Sequence, residues 1–155
     1  MGLDMYLNAR RDVSKYYNNG DETLADNLQA QMPELANIKG RWQNSPVSEV
    51  VIEAGYWRKA NQIHRWFVEN VQEGHDDCER YDVAREDLEE LRTLCKQVLD
   101  FRHLAVDKLP PQSGFFFGNT DINEYYWADI EQTIQILDDC LSLPEIWHFE
   151  YQSSW

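Results

Sequence analysis

Alternation of apolar and polar residues predicts a strand at the start of the chain. Residues 3–9, Leu-Asp-Met-Tyr-Leu-Asn-Ala, have the two-residue period of a strand with one buried face. A second strand is predicted over Val47–Ala54, because this segment is rich in β-branched residues. Shorter strands are predicted at Cys78–Val83 and Ile146–Tyr151.

Apolar residues at three- and four-residue spacing predict three amphipathic helices. They are Tyr56–Gln72, Ala84–Phe101, and a helix from a cap at Asp121 or Asn123 to about Leu141. Gly55 is predicted to end the second strand, so that the first helix follows it directly. We expect their apolar faces to share one core, which includes Leu88, Leu91, Cys95, Val98, Ile63, Phe67, Ile134 and Leu137.

This arrangement predicts an α+β fold. Residues 1–155 are expected to form a single compact domain, in which a small, mainly antiparallel sheet of two to four strands packs against about three helices. Residues 16–48 carry the weakest pattern, and Pro33 interrupts their helical spacing. We expect this segment to be a variable insertion or a broken helix.

The charge and cysteine content narrow the possible functions. A net charge of −14 argues against direct nucleic-acid binding, because the phosphate backbone would be repelled. No apolar run approaches the roughly 20 residues that cross a bilayer, and no leader pattern precedes the first strand, so a cytoplasmic protein without membrane contact is expected. Cys78, Cys95 and Cys140 lack metal-ligand spacing, so no metal, disulfide or cofactor is predicted.

Positive charge is concentrated in one segment. Residues 54–68 contain no acid but include Arg58, Lys59 and Arg65, whereas residues 109–155 contain eight acids and no Lys or Arg. We call Tyr56–Trp66 the basic segment. Its predicted position at a strand–helix junction would direct backbone N–H groups towards an anion.

The basic segment is the first candidate for a ligand-binding site. Arg58 and Lys59 would neutralise phosphate, Asn61 and His64 would orient polar groups, and Tyr56, Trp57 or Trp66 would stack on a ring. The alternative is an ordinary amphipathic helix with a solvated basic face. No glycine-rich phosphate-binding motif is present to decide between them.

Three further segments carry residues with possible chemistry. His75–Cys78 is interpreted as a polar loop rather than a metal or catalytic pair. Phe115–Phe117 is predicted to be a buried strand or plug, with a ligand-stacking clamp as the alternative. Tyr125–Trp127 is predicted to lie at the edge of the core, and it gains functional interest only if it faces the basic segment.

Three strings in the chain resemble a family of small uncharacterised proteins from bacteriophages, prophages and some bacteria. They are MGLDMYL at the start, GYWRKANQIHRWFVENVQEGHDDC in the middle and LPPQSGFFFG near the end. The resemblance covers the start and about Val50–Leu141, and it implies no particular activity. It does imply a phage or mobile-element setting, in which small acidic proteins often act against host defences, here in the host cytosol.

The residues and the resemblance together favour a non-catalytic protein that binds a small anionic ligand, such as a nucleotide, at the basic segment. The alternative is an inhibitor whose acidic face occupies a basic host surface, for example one that binds nucleic acid. That face would include Asp121, Glu124, Asp129, Asp138 and Asp139. A third hypothesis is a small hydrolytic enzyme with His64 as general base.

Overall fold

Four strands and five helices make up the part of the chain that the structure describes. The structure is a computed structural model, and it describes residues 2–13, 21–40 and 45–155. The strands are β1 (Asp4–Asp12), β2 (Glu49–Arg58), β3 (Tyr81–Val83) and β4 (His148–Ser154). The helices are α1 (Asp21–Ala30), α2 (Asn61–Asn70), α3 (Arg85–Asp100), α4 (Ala105–Lys108) and α5 (Glu124–Ser142).

The strands form one antiparallel sheet in the order β2-β1-β4-β3. β4, the last strand in sequence, lies between β1 and β3, and it pairs with β3 in the register Tyr81–Tyr151, Asp82–Glu150 and Val83–Phe149. The predicted α+β class is confirmed. None of the described helices is long and apolar enough to span a membrane.

The chain divides into two compact units, residues 1–9 with 53–155, and residues 10–52. In the smaller unit Arg10 pairs with Glu49 at 2.8 Å. The helix α1 ends at Ala30, and Pro33 begins a separate 3-10 turn. The predicted insertion at 16–48 falls within this unit, although residues 16–20 and 41–44 lie outside the described part.

The core of the larger unit lies between the sheet and the helices α2, α3 and α5. The alternating pattern of β1 buries Leu3, Met5, Leu7 and Ala9 on one face. The predicted core is confirmed: Leu88, Leu91, Cys95, Val98, Ile63, Phe67 and Leu137 are buried in one cluster, against which Ile134 packs. At the start of α5, Asn123 accepts hydrogen bonds from the N–H groups of Tyr125 (3.0 Å) and Tyr126 (3.4 Å).

The junction between β2 and α2 differs from the prediction. β2 continues through Gly55 to Arg58, and α2 begins only at Asn61, so the predicted helix start at Tyr56 was wrong. Gly55 is needed for packing instead, because a Cβ atom there would lie 2.4 Å from Ile136 Cγ2 on α5. The residues Tyr56–Arg58 therefore follow the two-residue alternation of a strand, in which neighbours point to opposite faces.

The segment Phe115–Phe117 forms a turn and not the predicted strand. Its first ring is 95% exposed, whereas Phe117 is 5% exposed and joins the core. The pattern also gave no indication of the short helix α4. The predicted strands at 78–83 and 146–151 correspond to β3 and β4, with shifted boundaries.

Candidate ligand-binding cleft

A cleft of about 340 Å³ opens where β2 ends and α2 begins. The β2–α2 corner contributes one part of its wall, the loop 111–119 a second, and the start of α5 a third. The lining residues are Arg58, Lys59, Asn61, Gln62, Pro111, Gly118, Asn119, Asp121, Asn123, Tyr125, Tyr126 and Asp129.

Lys59 forms the corner of the cleft in an uncommon backbone conformation. Its φ is +60°, in the left-handed region that non-glycine residues seldom adopt. The corner is fixed because Lys59 N–H donates to the Leu3 carbonyl (2.8 Å) and the Lys59 carbonyl accepts from Asn61 N–H (2.8 Å). Such strained positions are concentrated at functional sites.

Two glycines make room for the Lys59 side chain. A Cβ atom on Gly118, which has φ +86°, would lie 3.3 Å from both Cβ and Cδ of Lys59. A Cβ atom on Gly2 would lie 3.1 Å from Lys59 Cε. The aliphatic stem of the lysine is therefore closely packed, which limits the positions that its ammonium group can take.

Arg58 and Lys59 form no ion pair with any carboxylate in the described part of the chain. Other cations do: Arg65 pairs with Glu69 at 2.7 Å, for example. Both side chains are exposed at the cleft, in a protein whose net charge is −14. Their positive charge is thus available to an external anion.

A carboxyl group lies in the wall of the same cleft. Asp129 Oδ2 accepts a hydrogen bond from Gln62 Nε2 at 3.2 Å. Burial raises the pKa of Asp129 to about 6, against the opposing effect of that hydrogen bond. The cleft therefore combines two cations with an acceptor whose charge changes near neutral pH.

The exposed aromatic ring in the cleft belongs to Tyr125, which is 74% exposed. Tyr126 is buried, and its hydroxyl donates to the Leu109 carbonyl at 2.8 Å. The segment Tyr125–Trp127 was expected to have functional interest only if it faced the basic segment. The structure places Tyr125 and Tyr126 in one cleft with Arg58 and Lys59.

Of the seven residues predicted for the site, the structure brings Arg58, Lys59 and Asn61 to the cleft. Tyr56, Trp57, His64 and Trp66 do not line it. Trp57 is fully buried, and its indole N–H donates to Thr133 Oγ1 at 2.9 Å. Trp66 is 5% exposed, so neither tryptophan presents a ring face for stacking. The Tyr56 hydroxyl donates to Asp4 at 2.5 Å.

Asn61 shapes the cleft by holding the loop 111–119. Its Nδ2 donates to the carbonyls of Phe117 (3.0 Å) and Asn119 (2.9 Å). Its Oδ1 accepts from Gln112 N–H at 2.9 Å. Because all of these bonds are made to the protein and the residue is 2% exposed, Asn61 positions the loop and has little capacity left for a ligand.

His64 lies in the core, with no exposed surface. Its Nδ1 is 2.8 Å from the Tyr151 hydroxyl, and its Nε2 is 3.1 Å from Asp76 Oδ2 without the alignment of a hydrogen bond. Burial lowers the pKa of His64, and Asp76 opposes that shift. The contact between His64 and Tyr151 joins α2 to β4 in the core.

The acids of the alternative, inhibitory surface are divided in the structure. Asp121 and Asp129 line the cleft. Asp138 pairs with Arg92 at 3.0 Å and with Lys96 at 3.6 Å, both on α3. Asp139 accepts from Gln135 at 3.1 Å, and Glu124 lies in the first turn of α5.

The sequence did not indicate the residues that complete the cleft. They are isolated polar or small residues that belong to no sequence motif: Gln62, Gly118, Asn119 and Asn123. Only the folded structure brings them together with Arg58 and Lys59. In the described residues, no group of three His, Cys, Asp or Glu side chains is placed to hold a metal ion.

Comparison of the chain with protein families, with curated proteins and with solved structures gives no match. The resemblance to phage and prophage proteins therefore stays a prediction.

Proposed function

We propose that the cleft binds a small anionic ligand of the nucleotide class, and that the protein acts by binding it. The observation that carries the proposal is the pair of exposed cations, Arg58 and Lys59, which have no carboxylate partner among the described residues. Two exposed cations that share a cleft and have no carboxylate partner suit a ligand phosphate.

The start of α2 adds to the attraction. The N-cap residue Ala60 provides no side-chain cap, and the first turn contains no acid. The N–H groups of Asn61 and Ile63 already donate to Lys59 and Ala60, but the positive end of the helix dipole still favours an anion beside Asn61 and Gln62. Arg58, Lys59 and the helix start thus act on the same part of the cleft.

The opposite wall suits the ring system of a nucleotide. Tyr125 offers an exposed face for stacking. Asn123 Nδ2 and Asp129 Oδ1 form no hydrogen bond with another described residue and can pair with base or ribose edges. The volume of about 340 Å³ is within the range of ligand pockets, at its lower end.

A binding role is favoured over hydrolysis by the composition of the cleft. No serine, cysteine or histidine is among its lining residues, and His64 is buried elsewhere. The resemblance to phage and prophage proteins adds the expectation that the ligand is a host signalling nucleotide, which the protein would sequester. The inhibitor alternative has less support, because Asp138 is already paired with α3.

Calorimetric titration against linear and cyclic nucleotides tests the proposal. Arg58→Gln should weaken binding by about tenfold or more, because a charge-assisted phosphate contact is lost. The matched control is Arg65→Gln, which removes the same charge from a residue that pairs with Glu69 outside the cleft. Its effect should stay within about twofold.

Two results would contradict the proposal. One is a wild-type protein that binds no nucleotide of the panel. The other is an equal loss in both variants, which would indicate long-range attraction rather than a contact in the cleft.

A further inference from the structure

A second cleft, of about 310 Å³, lies beside the same loop. Pro111, Gly118 and Asn119 line the first cleft, whereas residues 112–117 line the second. Asp76 and Trp155 complete its wall. The proposed function makes no use of it.

Aromatic rings dominate the second cleft. Phe115 is 95% exposed and Trp155 is 46% exposed, although such large apolar side chains are usually covered. The rings form two edge-to-face pairs, Phe115 with Phe116 at 4.8 Å and Phe117 with Trp155 at 6.0 Å between centroids. The exposure of Phe115 and Trp155 leaves ring surface open to a ligand.

The cleft contains a carboxylate, that of Asp76. Asp76 Oδ1 accepts from the indole N–H of Trp155 at 2.9 Å, which uses the indole's one donor. Gln112 Oε1 is buried and has no hydrogen-bond partner among the described residues. Because that oxygen is covered, the partly exposed carboxylate of Asp76 is the acceptor that a ligand in the cleft can reach.

The negative charge of Asp76 is not balanced by a basic residue. No Lys or Arg lines the cleft, and none of the described ones pairs with Asp76. Its ionisable neighbour is His64, at 3.1 Å, and burial lowers the pKa of that imidazole. A partly exposed carboxylate and aromatic rings therefore line one space that contains no Lys or Arg.

We propose that the second cleft binds an alkylammonium cation that retains at least one N–H group. The carboxylate of Asp76 would attract the charge and accept the N–H, and the faces of Phe115 and Trp155 would add cation–aromatic attraction. An apolar ligand would leave the carboxylate of Asp76 without a cation, and an anion would be repelled. This inference does not depend on nucleotide binding in the first cleft.

Titration of the protein with butylammonium chloride, followed by NMR, tests the inference. The indole N–H signal of Trp155, assigned from its loss in Trp155→Phe, reports on the cleft directly. The control ligand is 1-butanol, which has the same carbon chain and a hydroxyl in place of the ammonium, with ionic strength held constant by NaCl. We expect saturable shifts with butylammonium at millimolar concentration, and at least about tenfold weaker binding of 1-butanol.

Variants identify the contacts. Phe115→Ala should weaken butylammonium binding by about threefold or more, with an unchanged fold because the ring is exposed. Val106→Ala is the matched control, since Val106 is 64% exposed on α4 and lines neither cleft. Asp76→Asn should weaken binding by about tenfold. If Asp76→Asn fails to fold, Phe115→Ala and the alcohol comparison still decide.

The inference is overturned if butylammonium causes no shift of the Trp155 signal at about 50 mM, well above the millimolar range of cation–aromatic contacts. It is also overturned if 1-butanol binds as tightly, or if Phe115→Ala and Val106→Ala bind alike.

Discussion

At the residue scale, the ionised carboxylate of Asp129 in the first cleft lowers the stability of the protein. Burial raises the pKa of Asp129 from 3.8 to about 6. Between these values the folded protein binds more protons at this site than the unfolded chain does. The free energy of unfolding therefore falls as the pH rises through this range, and the ionised carboxylate is a net cost above it. Buried groups whose pKa is shifted in this way are candidates for a functional role.

Replacement of Asp129 by Asn should therefore stabilise the protein at neutral pH. Asn keeps an oxygen for the Gln62 hydrogen bond but carries no charge. We expect a gain of about 1 kcal/mol at about pH 7.5, less than the whole pKa shift implies because the cleft is open to water. At about pH 4 the gain should vanish, since folded Asp129 is then protonated.

Urea unfolding at both pH values measures these gains. His64 acts in the opposite direction: its lowered pKa causes stability to be lost as the pH falls below about 6.5. This loss occurs in both proteins and cancels from the difference. Asp121→Asn, at an exposed position of the same cleft, should change stability by less than about 0.5 kcal/mol. An equal gain for Asp129→Asn at both pH values would disprove the explanation.

At the scale of elements, the sequence predicted regular structure well where one periodicity holds. α3 and α5 have clear apolar faces and agree closely with the predicted ranges. The predicted boundary between β2 and α2 was wrong, because a glycine at this point of the sequence pattern indicates the end of a strand. Only the close approach of α5, through Ile136, shows that Gly55 belongs inside β2.

The wrong helix start also explains which of the predicted residues reach the cleft. Arg58 and Lys59 reach the cleft because the chain turns at Lys59, whatever the helix boundary. The predicted helix from Tyr56 would have placed Trp57 and His64 beside a pocket. In the structure both residues are buried in the core. The far wall, including Asn119, comes from segments distant in sequence and joined by Asn61, which no local pattern could reveal.

The effects of substitutions at Gly55 and Ile136 on stability should be coupled. Gly55→Ala should lower the free energy of unfolding by about 1–3 kcal/mol, because its Cβ would lie 2.4 Å from Ile136 Cγ2. In an Ile136→Ala background the colliding methyl is absent, and the same change should cost less than about 0.5 kcal/mol. Chemical denaturation of the four proteins in this cycle gives both values. Equal costs in the two backgrounds would show that the glycine is needed for another reason.

At the scale of the whole molecule, two opposing fields act on an anionic ligand. Arg58 and Lys59 attract it at contact distance, whereas the net charge of −14 repels it from all sides. Salt affects these fields differently. Charges more than about 10 Å away are largely screened at 0.1 M ionic strength, but contacts inside a cleft are screened much less.

The balance predicts an unusual salt dependence of nucleotide binding. As NaCl rises from about 10 to about 150 mM, the long-range repulsion weakens faster than the contact attraction. Affinity for a cyclic nucleotide should therefore stay level or rise, by no more than about threefold, and decline only at higher salt. Calorimetry across this range measures the trend, and a cyclic nucleotide avoids a change in ligand charge with buffer. Arg58→Gln, which keeps the repulsion but loses a contact, should bind more weakly at every concentration. A tenfold fall in wild-type affinity between about 10 and 150 mM would mean that Arg58 and Lys59 act as an exposed basic surface rather than as parts of a cleft.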